Sequence, residues 1–301
     1  MAILKLHQPI NMNTLQAWDG DFPIVNAGQI RATDGIRTQD YFGNFQFDAN
    51  GLSGGILTST VAYHNGLYYE VTGLNIDAMI MEGYIGDFDF NGALNEILKG
   101  DDTIIGSAGD DLLKGGSGND VYDGGTGIDT VYYSGAKGSA AVTPSGNGYT
   151  VATPGKVDTL INIERIQMGD GSVLALDVKA GENAGSAYRL YQAAFDRKPD
   201  AEGLNYWTHD LDIGHNIQQV AKGFVNSAEF KALNPSNDQN TLLNNFYLHV
   251  LHRDADAVGL KYWNDEMNNG MTASGVLVSF SESQENIGNV AAELGGGVWL
   301  V

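Results

Sequence analysis

The chain of 301 residues contains no cysteine. A disulfide framework is therefore excluded, and any cross-link that stabilises the fold has to come from packing or from metal ions. Positive charge is also scarce: 16 Lys and Arg stand against 37 Asp and Glu, a net charge of −21. Such a surface repels phosphate backbones and anionic headgroups, which argues against nucleic acid and anionic membranes as partners. No apolar run approaches the roughly 18 residues of a membrane-spanning helix. The opening MAILKLHQPINMN has a short apolar patch and no cleavage site, so no Sec signal is expected there.

Catalytic motifs are missing too. Neither an HExxH zinc signature nor a GxSxG nucleophile elbow occurs. Of the histidines His7, His64, His209, His215, His249 and His252, the pairs His249/His252 and His209/His215 lack a nearby Glu or Cys in a metal-ligating arrangement. The expectation is a protein that is not an enzyme. An unrecognised hydrolase or lyase requires instead a concave pocket with convergent carboxylates.

What the chain does have is glycine, 40 residues of it, and 43% hydrophobic residues, too many for a wholly disordered protein. Much of the glycine falls in a nine-residue repeat from Ile97 to Tyr132: GSAGDDLLK, GGSGNDVYD and GGTGIDTVY, preceded by a truncated LKGDDTII. Glycine holds the fourth place (Gly100, Gly109, Gly118, Gly127), Asp the sixth (Asp102, Asp111, Asp120, Asp129) and an apolar residue the eighth (Ile104, Leu113, Tyr122, Val131). Glycine lets backbone carbonyls turn inward, and calcium takes six to eight hard oxygens from carboxylates and carbonyls. The second half of each copy reads as a short strand with its apolar residue facing a core. One copy is then half a coil, and loops two copies apart stack. Between Gly86 and Thr130 ten acids face two lysines, so the segment repels itself until cations neutralise it.

This nonapeptide resembles the RTX β-roll. The resemblance implies a calcium ion between stacked loops 18 residues apart. One ion is expected among Leu98, Gly100, Asp102, Gly115, Ser117 and Asp120, and a second among Ser107, Gly109, Asp111, Gly124, Thr126 and Asp129. A third would use Gly116, Gly118 and Asp120, but the loop expected to follow, Tyr133–Gly138, has no Asp at the sixth place. The family also implies type I secretion from a Gram-negative cell under an uncleaved C-terminal signal, and the ending AAELGGGVWLV is similar to such a tail.

Before the repeat, Asn50-Gly51 and Asn65-Gly66 between β-rich runs predict hairpins of an antiparallel meander. Phe45, Phe47, Val61, Tyr63, Tyr68 and Val71 are the candidate core or cross-strand pairs, and Asn91–Leu98 a short helix or turn over the first coil. After the repeat come further strands. The run DTLINIERIQMGDG, Asp158–Gly171, resembles segments that close the roll, with Asp158 either a late calcium ligand or a solvated loop carboxylate.

From Ala184 the periodicity turns helical, and the pattern returns after 56 residues: RKPDAEGLNYW at Arg197–Trp207 reappears as RDADAVGLKYW at Arg253–Trp263. Tyr191 to Glu229 keeps thirteen identities in 39 positions on that shift. Asp200 and Asp256 are expected to be N-caps, Trp207 and Trp263 core residues, and Arg197 and Arg253 partners of neighbouring carboxylates. This duplicate resembles a helical domain of unknown function at the C-terminal ends of secreted calcium-binding proteins. The expected fold is α+β and multidomain: an antiparallel β-domain (1–95), a parallel β-roll with capping strands (96–178) and an all-α duplicate carrying the secretion signal (179–301). The expected role is a calcium-folded structural or interaction protein, self-associating or attached to a bacterial surface or polysaccharide. The other reading is a glycan- or envelope-binding module.

Overall fold

The computed structural model describes every residue except Asn237. It is a mixed α and β chain that divides into two compact units, Met1–Gly171 and Ser172–Val301. The first unit contains, in order, β1 (Ile3–Leu6), β2 (Asp21–Val25), β3 (Gln29–Thr33), β4 (Arg37–Asp48), β5 (Gly51–His64), β6 (Leu67–Thr72) and β7 (Ile76–Asp77). Two short helices follow, α1 (Ala78–Gly86) and α2 (Phe90–Ile97). Then come β8 (Thr103–Ile105), β9 (Leu112–Leu113), β10 (Val121–Asp123), β11 (Thr130–Tyr133), β12 (Ala141–Ser145), β13 (Gly148–Thr153), β14 (Lys156–Ile161) and β15 (Arg165–Met168).

Strands β2 to β6 form the antiparallel meander. Its β5–β6 turn sits on Asn65 (φ 56°) and Gly66 (φ 120°), the positive angles a two-residue hairpin turn demands. Of the candidate core or cross-strand pair residues, Phe45 and Val71 are buried, whereas Phe47 and Tyr63 are exposed and pair across strands with Leu52 and with Thr38; Leu57 and Ala62 also fill the inner face. Register shifts at Phe42/Gly43, Gln46/Phe47 and Ala62/Tyr63 change which residues face inward, so alternation counted along the sequence loses phase.

The expected boundary after residue 95 does not divide the unit, because β1 pairs antiparallel with β6 on one side and parallel with β8 on the other. Beyond β8 the ladder continues parallel through β10 and β14, and a second parallel ladder runs β9–β11–β15. Two apolar columns lie between them: Leu4, Ile104, Tyr122 and Leu160, and Met12, Leu113, Val131 and Ile166, all buried. Burying each such side chain is worth roughly 1.5–3 kcal/mol.

The second unit begins earlier than expected. Strand β16 (Val173–Ala175) pairs antiparallel with β17 (Val298–Trp299) and so belongs with the helices. Between them run α3 (Asn183–Phe195), α4 (Ala201–Asp212), α5 (Ile217–Asn226), α6 (Ala228–Leu233), α7 (Gln239–Leu251), α8 (Ala257–Asn268), α9 (Ala273–Ser281) and α10 (Gln284–Leu294). The two halves repeat down to their details. Asp196 and His252, 56 residues apart, end α3 and α7 in the left-handed conformation. Asp200 and Asp256 cap α4 and α8 by accepting from Gly203 N–H and Gly259 N–H. Arg197 binds Glu229 and lies over the Tyr191 ring; Arg253 binds Glu285 and lies over Tyr247. Trp207 and Trp263 are half-buried, packed on Phe224 and Phe280.

Candidate metal centre

The sixth-place aspartates sit where each coil turns into its strand, and their side chains point into the stack rather than to water. Asp102, Asp111, Asp120 and Asp129 are all buried. In each column the backbone amide of one coil donates to the carboxylate of the next. Ala2 N–H donates to Asp102 Oδ1 at 2.5 Å, Asp102 N–H to Asp120 Oδ1 at 3.1 Å, and Asp120 N–H to Asp158 Oδ1 at 3.0 Å. In the other column Ile10 N–H donates to Asp111 Oδ1 at 2.6 Å, Asp111 N–H to Asp129 Oδ1 at 2.8 Å, and Asp129 N–H to Glu164 Oε2 at 2.9 Å. Residues 2–12 thus act as a coil ahead of the first repeat.

This ladder occupies one oxygen of each carboxylate and leaves the other to be matched. Asp111 Oδ2 accepts from Ser107 N–H at 2.6 Å. Asp102 Oδ2 and Asp129 Oδ2 are buried with no hydrogen-bond partner. A buried carboxylate oxygen left unmatched is costly, and a cation removes the cost. Each of the two ion positions implied by the repeat contains one of these orphaned oxygens. Burial pushes the Asp120 carboxyl up to about 6 and that of Asp129 to about 7, and raises that of Asp102 as well. In all three, burial disfavours the charged form, which a bound cation would favour.

Carbonyls supply the rest of the surroundings. Gly116, Gly118 and Gly125 have positive φ and sit hard against the coil before them: a Cβ on Gly116 would strike the Leu98 carbonyl, on Gly118 the Gly100 carbonyl, and on Gly125 the Ser107 carbonyl. The carbonyl oxygens of Leu98, Gly100 and Ser107 thus lie against the neighbouring loop. Gly115 and Gly124 lie beside the carboxylates of Asp120 and Asp129, where side chains would collide with them. Carbonyls of the expected shells also take part in hydrogen bonds between coils: Ser117 O accepts from Gly100 N–H at 2.8 Å and Ser107 O from Thr126 N–H at 3.4 Å, while the Thr126 hydroxyl donates to Ala108 O at 3.1 Å. Gly109 is packed against Pro9 of the leading coil. Among the described residues no three Asp, Glu, His or Cys side chains converge as a metal cluster. Each position has two aspartates, so an ion there depends on main-chain oxygens, which suits calcium.

Two expectations fail at the end of the stack. Tyr133–Gly138 is not the loop that follows Asp120. The β12–β13 hairpin interrupts the period, and the coil resumes at β14, which pairs Val121–Asp123 with Thr159–Ile161. Asp158 is consequently no solvated loop carboxylate. It is fully buried, accepting from Asp120 N–H, from Tyr133 Oη at 2.8 Å and from the Lys156 ammonium at 3.0 Å. The signal was in the sequence: Asp158-Thr159-Leu160 repeats Asp102-Thr103-Ile104 and Asp129-Thr130-Val131, although out of nine-residue phase. Also missed was an outer ladder at the fifth place, where Asp101 accepts from Asn119 N–H, Asp110 from Ile128 N–H, and Asn119 from Val157 N–H.

Residues 99–131 match the RTX calcium-binding nonapeptide repeat family. The chain carries an RTX repeat. Behind it, residues 180–234 and 235–290 match two copies of a domain of unknown function, DUF4214, the two halves of the helical duplicate. The comparison with curated proteins returns no match. Among solved structures the extracellular lipase LipA from Serratia marcescens is similar at 24% identity over 23% of this chain and 13% of that one, with a TM-score of 0.15. A likeness over so small a share of that chain carries no argument about activity. The RTX repeat is typical of secreted calcium-binding bacterial proteins, and among the described residues no helix is long and apolar enough to cross a membrane.

Proposed function

We propose that this chain is an extracellular calcium-folded structural or interaction protein, which acts by contact rather than by catalysis. Calcium supplies the positive charge and the flexible oxygen coordination that the buried aspartates lack. Leu98, Gly100, Asp102, Gly115, Ser117 and Asp120 would surround one ion, and Ser107, Gly109, Asp111, Gly124, Thr126 and Asp129 another. The observation that carries the calcium reading is the pair of orphaned oxygens, Asp102 Oδ2 and Asp129 Oδ2, inside an otherwise saturated ladder. External calcium at millimolar levels would complete the roll after export and lower the repulsion among copies of a −21 chain, favouring self-association or attachment to a bacterial surface or its polysaccharide. Secretion by the type I machinery fits the same reading.

A second reading has its own support. A cavity of about 560 Å³ in the first unit is lined by Trp18, Phe22, Tyr41, Tyr69 and Tyr84, with Arg37 and Gln39 among its polar groups. An aromatic wall with a few polar groups suits a glycan- or envelope-binding module. Light scattering and cell-pelleting with calcium and with chelator separate the two: association that chelator reverses supports the first. A monomer in millimolar calcium that binds polysaccharide supports the second, and turnover of a polysaccharide, ester or peptide by such a monomer overturns both.

A further inference from the structure

The third inter-coil position has the oxygens that calcium would need and a cation of another kind. Its surroundings are the Gly116 carbonyl and the Asp120 carboxylate from one coil and the Asp158 carboxylate from the next. The Lys156 ammonium lies among all three, 3.0 Å from Gly116 O, 3.4 Å from Asp120 Oδ2 and 3.0 Å from Asp158 Oδ2. An ammonium carries three N–H donors, and here three oxygens meet it. Its side chain is largely withdrawn from solvent, Tyr133 lies with its ring 5.6 Å away, and both carboxylates are buried. Asp120 and Asp158 therefore have a partner for their second oxygens, whereas Asp102 Oδ2 and Asp129 Oδ2 have none.

We infer that Lys156 is a tethered cation that takes the place of a third calcium ion and closes that position to metal. This role for Lys156 rests on calcium filling the other two positions. Two buried carboxylates flanking one site need compensating positive charge, and a monovalent head on a chain already anchored in β14 provides it without a binding equilibrium. Three features fit this role and not that of a surface ion pair: the backbone carbonyl among the ammonium's partners, the burial, and the place in the ladder. Coil stacking at Asp120–Asp158 would then form without the metal that the earlier coils require, giving the roll one junction that external calcium does not control.

The test is calcium stoichiometry, by calorimetry and equilibrium dialysis, on the full-length wild type, Lys156→Ala and the double variant Lys156→Ala/Asp158→Asn. Circular dichroism across the calcium range follows folding in parallel. The alanine variant is expected to bind one calcium more per chain than wild type and to need more calcium to fold, and the double variant to lose the additional ion. An alanine variant that folds with the wild-type stoichiometry overturns the assignment, as does one that stays unfolded at every calcium concentration. Wild type that binds no calcium overturns the calcium reading itself, and this inference with it, a result distinct from both.

Discussion

The roll and the helical duplicate are both built by repetition in one acidic chain, yet they place their carboxylates in opposite surroundings. In the roll the sixth-place aspartates are buried, and the protein pushes Asp102, Asp120 and Asp129 toward the neutral form. In the helical duplicate Asp200, Asp256 and Glu285 stand at the surface, held below the usual carboxylate range by partners. Tyr191 Oη and Gly203 N–H hold Asp200 at about 2, Gly259 N–H lowers Asp256, and Arg253 lowers Glu285. The helical carboxylates bring their own stabilising donors. In the roll, Asp102 and Asp129 each keep a buried oxygen that only a cation from outside would match. One unit is thus expected to fold on its own contacts and the other to be conditional on the medium.

Removing calcium should break that comparison most visibly. With chelator, most of the β-signal of the roll is expected to be lost, the Lys156 junction apart, and protease to cut within 99–131, while the helices after Ser172 keep their ellipticity. Magnesium should restore little, since it demands tight octahedral geometry and holds its waters. Spectra and cleavage sites unchanged by chelator would reject the conditional half of the comparison.

Single carboxylates sharpen it. Asp120→Ala is expected to shift the midpoint of calcium-induced folding by about 10-fold or more, the usual scale for disturbing a metal site. Asp123→Ala, which removes an acceptor for Asn162 Nδ2 and lies outside the sixth place, should shift it far less. Equal titration curves would mean that the register is wrong.

Glycines make a finer probe, because Gly118 and Gly214 have similar backbone angles, φ 109° and 97°. A Cβ at Gly214 meets open space, so Gly214→Ala should cost the helical unit only the left-handed strain of about 1 kcal/mol. Gly118→Ala adds a collision with the Gly100 carbonyl and should raise the calcium requirement of the roll well beyond that. Thermal melts of the helical signal and calcium titrations of the β-signal measure the two separately.

The smallest effect concerns acid. Because the folded-state pKa of Asp200 is depressed to about 2 from 3.8, its contribution is present above about pH 4 and is lost as pH falls toward 2. Helical stability in calcium-free buffer is expected to drop over that window, and Asp200→Ala, at a cap cost of about 1 kcal/mol, to flatten the drop. An acid transition of the same steepness in the variant would show that Asp200 is not its source.

Local chemistry is what the sequence determined by itself. The nine-residue period placed Ile104, Leu113, Tyr122 and Val131 inside, since a short strand alternates faces and only its eighth-place residue can turn to the core. The shift by 56 residues carried the caps, the Arg197–Glu229 and Arg253–Glu285 pairs and the Trp–Phe contacts, because each lies within one helical copy. Contacts between segments without a shared period were decided only by the tertiary structure. Ala2 and Ile10 reach Asp102 and Asp111 across about a hundred residues, and no repeat links MAILKLHQPI to the nonapeptide. At the other end the β12–β13 hairpin spaces Asp158 from Asp120 by 38 residues where counting gives 18, which hid the last coil and the lysine that enters it. A hydrogen-bond ladder needs only an amide and a carboxylate at the right height in the stack. The chain distance between them leaves no mark in the sequence, and so the two ends of the roll had to be seen in the fold.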